Sequence, residues 1–284
     1  MQCKVSLKEI SFPHPLKLII SCCNANGGIY LLSCYDQQID MIKVSNKDTR
    51  GIERVGDHFY AAHQQLGSIA KYNLHFELVE QYAPSGGLKD LHGMTYYKDH
   101  LYIMETGARL IGKYELSPLK KIDEIPLHRK NHSNDLIFHN DLLYVSSFAD
   151  IRNHPHTTNK APLLNSNQGV VTNYLSEKQE ELGIYLFGLV QPHSIMFYKD
   201  EMYFCNSGTM EVRREEETII KFKAGYMRGL AIDDEFVFIG ESISRNKSDL
   251  TVNQCGFHIY DKRTNKAEFI KLPSTEVYSI KFIS

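Results

Sequence analysis

His92-Gly93-Met94, followed by a turn at Lys98-Asp99 and a second apolar run at Leu101-Tyr102-Ile103, is one copy of a phrase that recurs along this chain. Each copy sets a polar residue at the start of a short apolar strand, then a turn, then a second apolar strand. Outward from it, the phrase reads Arg50-Gly51-Ile52 before Gly56-Asp57 and His58-Phe59-Tyr60 on one side. On the other it reads Asn134-Asp135-Leu136 before Asn140-Asp141 and Leu143-Tyr144-Val145. It returns as His193-Ser194-Ile195 before Lys199-Asp200 and Met202-Tyr203-Phe204, and as Arg228-Gly229-Leu230 before Asp233-Asp234 and Phe236-Val237-Phe238. A hairpin of this kind cannot bury its own faces, so its repetition means a stacked array. The expected fold is all-β, a six-bladed β-propeller.

The count of six uses the two ends of the chain. Glu276 to Phe282 reads as another first strand, with Tyr278 in the polar slot, and the chain stops before its partner. The missing partners stand at the other end, as Leu16 to Ile20, Gly28 to Leu32 and Ile39 to Ile42. One blade is therefore expected to be shared between the termini, in a single domain over residues 1–284 with no exposed sheet edge at the closure.

Composition agrees: 284 residues, 42% hydrophobic and 23% charged, without Trp but with 17 Tyr and 14 Phe, which suit pleated half-buried surfaces. The 32 Lys and Arg nearly balance 34 Asp and Glu, for a net charge of −2, so electrostatics supply no reason to expect nucleic acid. Neither a leader-like pattern nor an apolar stretch of membrane-spanning length is present, and a cytoplasmic protein acting on a small molecule is expected. The six cysteines, Cys3, Cys22, Cys23, Cys34, Cys205 and Cys255, lack C-x-x-C spacing. Free, buried thiols are the expectation for them.

The repeat also sorts residues by face. First-strand starts supply Arg50, His92, Asn134, His193, Arg228 and Tyr278. Second-strand ends supply His63, Glu105, Ser147, Asn206, Glu241 and Cys22 or Cys23. Both sets are expected around one channel mouth. Polar groups there can simply satisfy strand ends, but the bias toward His, Arg, Glu and Asn points to a site. His92, His132 and His193, from successive blades, are expected to hold a divalent transition metal, Zn, Fe, Mn or Ni. Glu105 or Glu241 would complete the shell or act as general base, and His63 is a further catalytic candidate. Arg50 and Arg228, with Asn134, Asn206 and Tyr278, are the substrate-binding candidates, the two arginines suiting a carboxylate or phosphate. The alternative for the arginines is pairing with Glu53, Glu105 or Glu241.

Two long connections open on that face. Residues 149–168, with His154 and His156, can act as a lid or be a loose surface insertion. Residues 243–254 carry Arg245, Asn246 and Lys247. His128, His132 and His139 flank the start of the fourth blade, with only His132 expected near the mouth and His139 expected in a surface turn. Arg213 to Glu217 reads as a solvated hairpin.

Gln191-Pro192-His193-Ser194-Ile195, Cys205-Asn206-Ser207-Gly208, Arg228-Gly229-Leu230-Ala231, Cys255 to Asp261 and Glu276-Val277-Tyr278 form an ordered set. This set resembles an uncharacterised bacterial propeller family, a domain of unknown function, from about Arg50 onward; no established chemistry comes with that likeness. More distantly, the architecture is similar to the gluconolactonase, regucalcin and strictosidine-synthase group of six-bladed propellers. That resemblance implies a divalent metal held by Glu, Asn and Asp, with lactone hydrolysis or related additions. Asn134-Asp135 and Asn206 fall where such ligands would be, while the histidines depart from an oxygen-rich set and favour a transition metal over calcium.

Two functions follow as expectations, since a propeller fold alone implies none. The first is a metal-dependent enzyme hydrolysing, eliminating or isomerising a small polar, anionic metabolite, with the same histidines and glutamates open to acid–base chemistry without a metal. The second is a non-catalytic propeller that binds a small ligand or a protein, favoured by arginine–glutamate pairs at the mouth and exposed aromatic residues on a rim.

Overall fold

In the computed structural model, residues 2–127, 129–150, 166–175, 180–243 and 254–283 are described. The turns of the repeated phrase set its hairpins. Lys98 and Asp99, Asn140 and Asp141, and Lys199 and Asp200 all take positive φ, from 43° to 64°. Two successive left-handed residues match the right-handed twist of the strands they join, and Asn and Asp tolerate that region best. The hairpins so formed are β9 (Leu91–Tyr97) with β10 (His100–Glu105), β13 (Lys130–His139) with β14 (Leu142–Asp150), and β17 (Pro192–Tyr198) with β18 (Glu201–Asn206).

Six antiparallel sheets result, the blades of a six-bladed β-propeller. The chain divides into two compact units. One is Met1–Arg50 with Lys223–Ser284. It contains β1 (Gln2–Ser6), β2 (Phe12–Cys23), β3 (Gly28–Asp36), β4 (Gln38–Ser45) and β25 (Glu276–Phe282), in sheet order β1-β4-β3-β2-β25. The C-terminal strand thus completes the blade begun near the N-terminus, and β1 adds an outer fifth strand that the sequence pattern did not signal. The second sheet of this unit is β21 (Tyr226–Ile232), β22 (Phe236–Ser242), β23 (Gly256–Asp261) and β24 (Lys266–Lys271).

The other unit, Gly51–Phe222, holds four blades. They are β5 (Thr49–Val55, whose first two residues precede the unit), β6 (His58–His63), β7 (Ser68–Asn73) and β8 (Leu78–Tyr82); β9, β10, β11 (Leu110–Leu116) and β12 (Leu119–Pro126); β13, β14, β15 (Gly169–Leu175) and β16 (Glu180–Leu189); and β17, β18, β19 (Glu211–Arg214) and β20 (Glu217–Lys221). Arg213 to Glu217 is the β19–β20 turn, with Arg214 paired to Glu217 at 2.5 Å on its exposed side.

Neighbouring blades meet at the start of the phrase. A Cβ on Gly51 would lie 2.5 Å from the His92 carbonyl oxygen, and one on Gly93 would lie 2.3 Å from Asp135 Oδ1 and 3.0 Å from the Asn134 carbonyl oxygen. Glycine is needed there for space rather than for φ. Asp135 occupies the corresponding slot of its own blade, and its Oδ2 accepts the Ser194 N–H at 2.6 Å, which locks the β13 and β17 blades together. Farther along these strands, rings stack between blades, Tyr97 on Phe138 at 4.0 Å and His139 on Phe197 at 3.9 Å. His139 is therefore half-buried and 3.2 Å from Asp200, rather than loose in a surface turn. The core of the first unit includes Phe12 with Phe236 and Phe238, and Cys22, Cys34 and Cys255. All six cysteines are free thiols.

Candidate functional site

Several polar residues of the phrase sit in or beside β-bulges; His193, paired with Cys205, directly precedes the one on β17. On β9 two residues, His92 and Gly93, stand between Leu91 and Met94, while β10 has only Met104 opposite them. The same extra residue is Asn134 on β13, Tyr278 on β25, one of Ser194 and Ile195 on β17, and one of Arg228 and Gly229 on β21. Ser194 and Gly229 accommodate it with φ of 56° and 79°. A bulge bends the strand and re-aims the side chain at its apex, which is why bulges gather beside functional sites.

The second-strand ends behave differently from expectation. His63 Nε2 lies 2.8 Å from Tyr72 Oη on β7. Glu105 Oε1 accepts from Tyr114 Oη at 2.7 Å and lies 3.1 Å from Lys121 Nζ, on β11 and β12 of the same blade. Burial, then the charge of Glu105, drive the Tyr114 pKa well up, so it remains a donor. Asn206 donates to Thr209 Oγ1 at 2.8 Å and accepts the Val190 N–H at 2.7 Å. Glu241 Oε2 lies 2.6 Å from His258 Nε2 on β23, with Gln254 donating to Oε1 at 3.5 Å. Glu105, Glu241 and His63, expected as proton-transfer groups at one mouth, are thus each tied to the third strand of their own blade. A buried polar group needs partners, and the nearest ones stand across the sheet. Ser147 likewise bonds Ser133, 2.7 Å away, within its blade.

In the Gly51–Phe222 unit the histidines form a row rather than a cluster. His92 and His132 meet edge to face, centroids 5.3 Å apart, and His132 (φ 51°) packs at 4.5 Å on the Phe148 ring. Phe148 in turn meets His193 at 5.4 Å. His92 Nε2 is 3.3 Å from Asp90 Oδ1, and Asn134 Nδ2 donates to the His132 carbonyl. His193 Nδ1 lies 2.9 Å from the Gln191 carbonyl and 3.0 Å from Ser207 Oγ. Because a carbonyl only accepts, the neutral ring carries its proton on Nδ1 and its lone pair on Nε2. His92 and His193 are buried, as are Phe148 and Asn134.

This row does not fit the expected three-histidine metal centre. Phe148, which has no ligand atom, packs on both His132 and His193. No group of three or more His, Cys, Asp or Glu side chains is placed to hold a metal ion among the described residues. The sequence could not show the intrusion, because Phe148 reads as an ordinary apolar strand residue.

The other unit carries Arg228. Its Nη1 donates to Glu276 Oε2 at 3.1 Å, and its guanidinium carbon lies 4.5 Å from the Tyr278 ring centroid and 5.9 Å from that of Tyr226. Burial opposes the charge, but Glu276 outweighs it and holds the guanidinium pKa above its ordinary value. The same carboxylate oxygen accepts from Cys23 Sγ at 3.4 Å, and burial pushes that thiol up to about 12. Arg228 therefore pairs with Glu276, which the sequence did not mark as a partner for the arginines, and not with Glu241. Arg50 is half-buried, and its carbonyl accepts the Ser21 hydroxyl. The sequence reading also missed Lys130, whose buried Nζ lies 2.5 Å from Asp150 and 3.2 Å from Glu181. The expected lid with His154 and His156, the run Arg245 to Lys247 and His128 lie outside the described residues.

One rim strand is apolar and open. Along β16, Leu182, Ile184, Tyr185 and Phe187 are exposed, Phe187 at 77%. No described helix is long and apolar enough to cross a membrane.

Residues 163–284 match the family model of a domain of unknown function, DUF4915. No curated protein matches the chain. A chain of the solved structure "Crystal structure of Nidogen/Laminin Complex" is similar, with a TM-score of 0.69 at 11% identity over 94% of this chain and 97% of that one. At that identity the likeness is one of fold.

Proposed function

We propose that this chain is a binding propeller that takes a small polar ligand at the histidine row of its Gly51–Phe222 unit. The observation that carries this reading is the pre-set hydrogen-bonding order of the row. Asp90 stands at His92, the Gln191 carbonyl sets the tautomer of His193, and Asn134 holds the His132 backbone. Imidazoles oriented in advance lose little freedom on engaging a ligand, which favours affinity. Glu105, Glu241 and His63 are engaged within their blades rather than with the histidine row, which supports binding over turnover. The exposed aromatic residues of β16 belong to the same class of function.

A second reading has one specific observation behind it. The 3.3 Å approach of Asp90 to His92 is the arrangement by which a carboxylate orients an imidazole for general acid–base catalysis. In that case His92 accepts a proton from a polar, anionic metabolite without a metal, and the remote likeness to the gluconolactonase group belongs with this reading.

Histidine side-chain NMR decides between them. Addition of a panel of small hydroxy acids, sugars and lactones should move the His92, His132 and His193 resonances of the wild type while the ligand is recovered unchanged. Conversion of the ligand by the wild type but not by His92→Gln would establish the enzyme instead. If no member of the panel moves any of the three rings, both readings fail.

A further inference from the structure

The guanidinium of Arg228, in the unit made of Met1–Arg50 and Lys223–Ser284, has more donors than the described residues supply acceptors. Only 7% of the residue is exposed. Glu276 takes the Nη1 end at 3.1 Å, and the rings of Tyr278 and Tyr226 lie against the group at 4.5 and 5.9 Å. Nε is buried without a hydrogen-bond partner among the described residues. A tyrosine ring satisfies the charge but not the in-plane N–H groups. A buried charged donor left unmade is costly, and Arg228 sits at a bulge, where the strand is deformed to aim it.

The edge that contains Nε is also the recognition edge. Nε–H and one Nη2–H are parallel and spaced to meet the two oxygens of a carboxylate. We propose that the Nε–Nη2 edge of Arg228 is the binding site of a small monoanionic carboxylate, whose apolar part lies along the rings of Tyr226 and Tyr278. Charge selects the monoanion. Arg228 is already neutralised by Glu276, and the further charges felt at the adjacent Cys23 are Arg50 and Asp48, one of each sign. One added negative charge leaves the pocket at −1 with two guanidiniums to share it, whereas a phosphate dianion leaves −2 in a buried setting, where unpaired charge is most expensive. The proposal rests on none of the residues of the histidine row.

The test is titration of the full chain with sodium acetate and with inorganic phosphate, each against sodium chloride at equal ionic strength. The readouts are the arginine Nε–H NMR signals and the melting temperature. Acetate should saturably shift one Nε–H resonance, absent from the spectrum of Arg228→Lys, and raise the melting temperature. Arg228→Lys keeps the charge facing Glu276 but loses the fork, and acetate should bind it at least tenfold more weakly. Should that variant fail to fold, Tyr278→Leu keeps the guanidinium and is expected to weaken acetate several-fold. An Nε–H signal that acetate leaves unmoved, equal affinity in wild type and Arg228→Lys, or tighter binding of phosphate than of acetate each overturns the assignment. Acetate binding at Arg228 in a protein whose histidine rings respond to no ligand would sink the histidine-row reading and support this one.

Discussion

Replacing Lys130 by Met is expected to cost this protein more than any surface change, and the size follows from the geometry around its ammonium. Lys130 opens β13, Asp150 closes β14, and the two side chains are fully buried with Nζ 2.5 Å from Oδ2. Glu181 on β16 stands 3.2 Å away but keeps 22% of its side chain exposed, so water can serve it when the lysine is gone. Asp150 is fully buried, so water does not replace the lost ammonium there. A buried carboxylate deprived of its cation costs about 3–5 kcal/mol. For domains somewhat smaller than this chain each kcal/mol moves the melting temperature by about 2–4 °C, so a drop of roughly 6–20 °C is expected for Lys130→Met. Lys130→Met combined with Asp150→Leu removes both charges and should recover at least half of the loss, because buried pairs gain little net stability over apolar packing. Thermal and urea unfolding of the three proteins measure this directly. If Lys130→Met loses less than about 1 kcal/mol, or the double variant is as unstable as the single one, the buried pair is not what holds β13 to β14.

Glu268 accepts the N–H groups of Lys8, Glu9 and Ile10 at 2.8–3.0 Å, and although burial works against it, these bonds hold its pKa below the ordinary carboxylate value. A lowered folded-state pKa means its contribution is complete above the unfolded value and fades as pH falls through the folded one. Glu268→Gln should cost about 1–2 kcal/mol at pH 7, after allowance for partial exposure, and flatten the acid limb of the stability curve; an unchanged acid limb would remove the clasp from the account. Thiol labelling of the native protein at pH 8 should modify Cys3 first, since the other five cysteines are buried and Cys23, Cys34 and Cys255 are pushed up to about 12 by burial. Fast labelling of Cys23 before unfolding would contradict the burial of the Arg228–Glu276 pair beside it. Phe187→Lys, on the open edge strand β16, should lower concentration-dependent association seen by light scattering with melting temperature unchanged; identical scattering would show that β16 is not a contact surface.

The hairpins were legible because their causes are local. Lys98-Asp99, Asn140-Asp141 and Lys199-Asp200 supply the two left-handed residues a tight hairpin needs, and alternation in the flanking strands sets which residues face inward. The shared blade was legible for the same reason, since Glu276–Phe282 carries a first-strand pattern, and β2 pairs with it. The polar slots of the phrases could also be read, though the bulges at or beside several of them could not.

Which partner each polar residue would take was decided only by the tertiary structure. One extra residue per bulge shifts the pairing by one position and reverses which face a side chain meets. Packing of blade on blade then determines which donors lie within reach. So Arg228 meets Glu276 rather than Glu241, Glu105 turns to Tyr114 and Lys121, and Phe148 packs against histidines that the repeat alone placed side by side. A hydrogen bond or ion pair depends on separations of a few tenths of an ångström between residues far apart in the chain, and neither periodicity nor composition carries that distance.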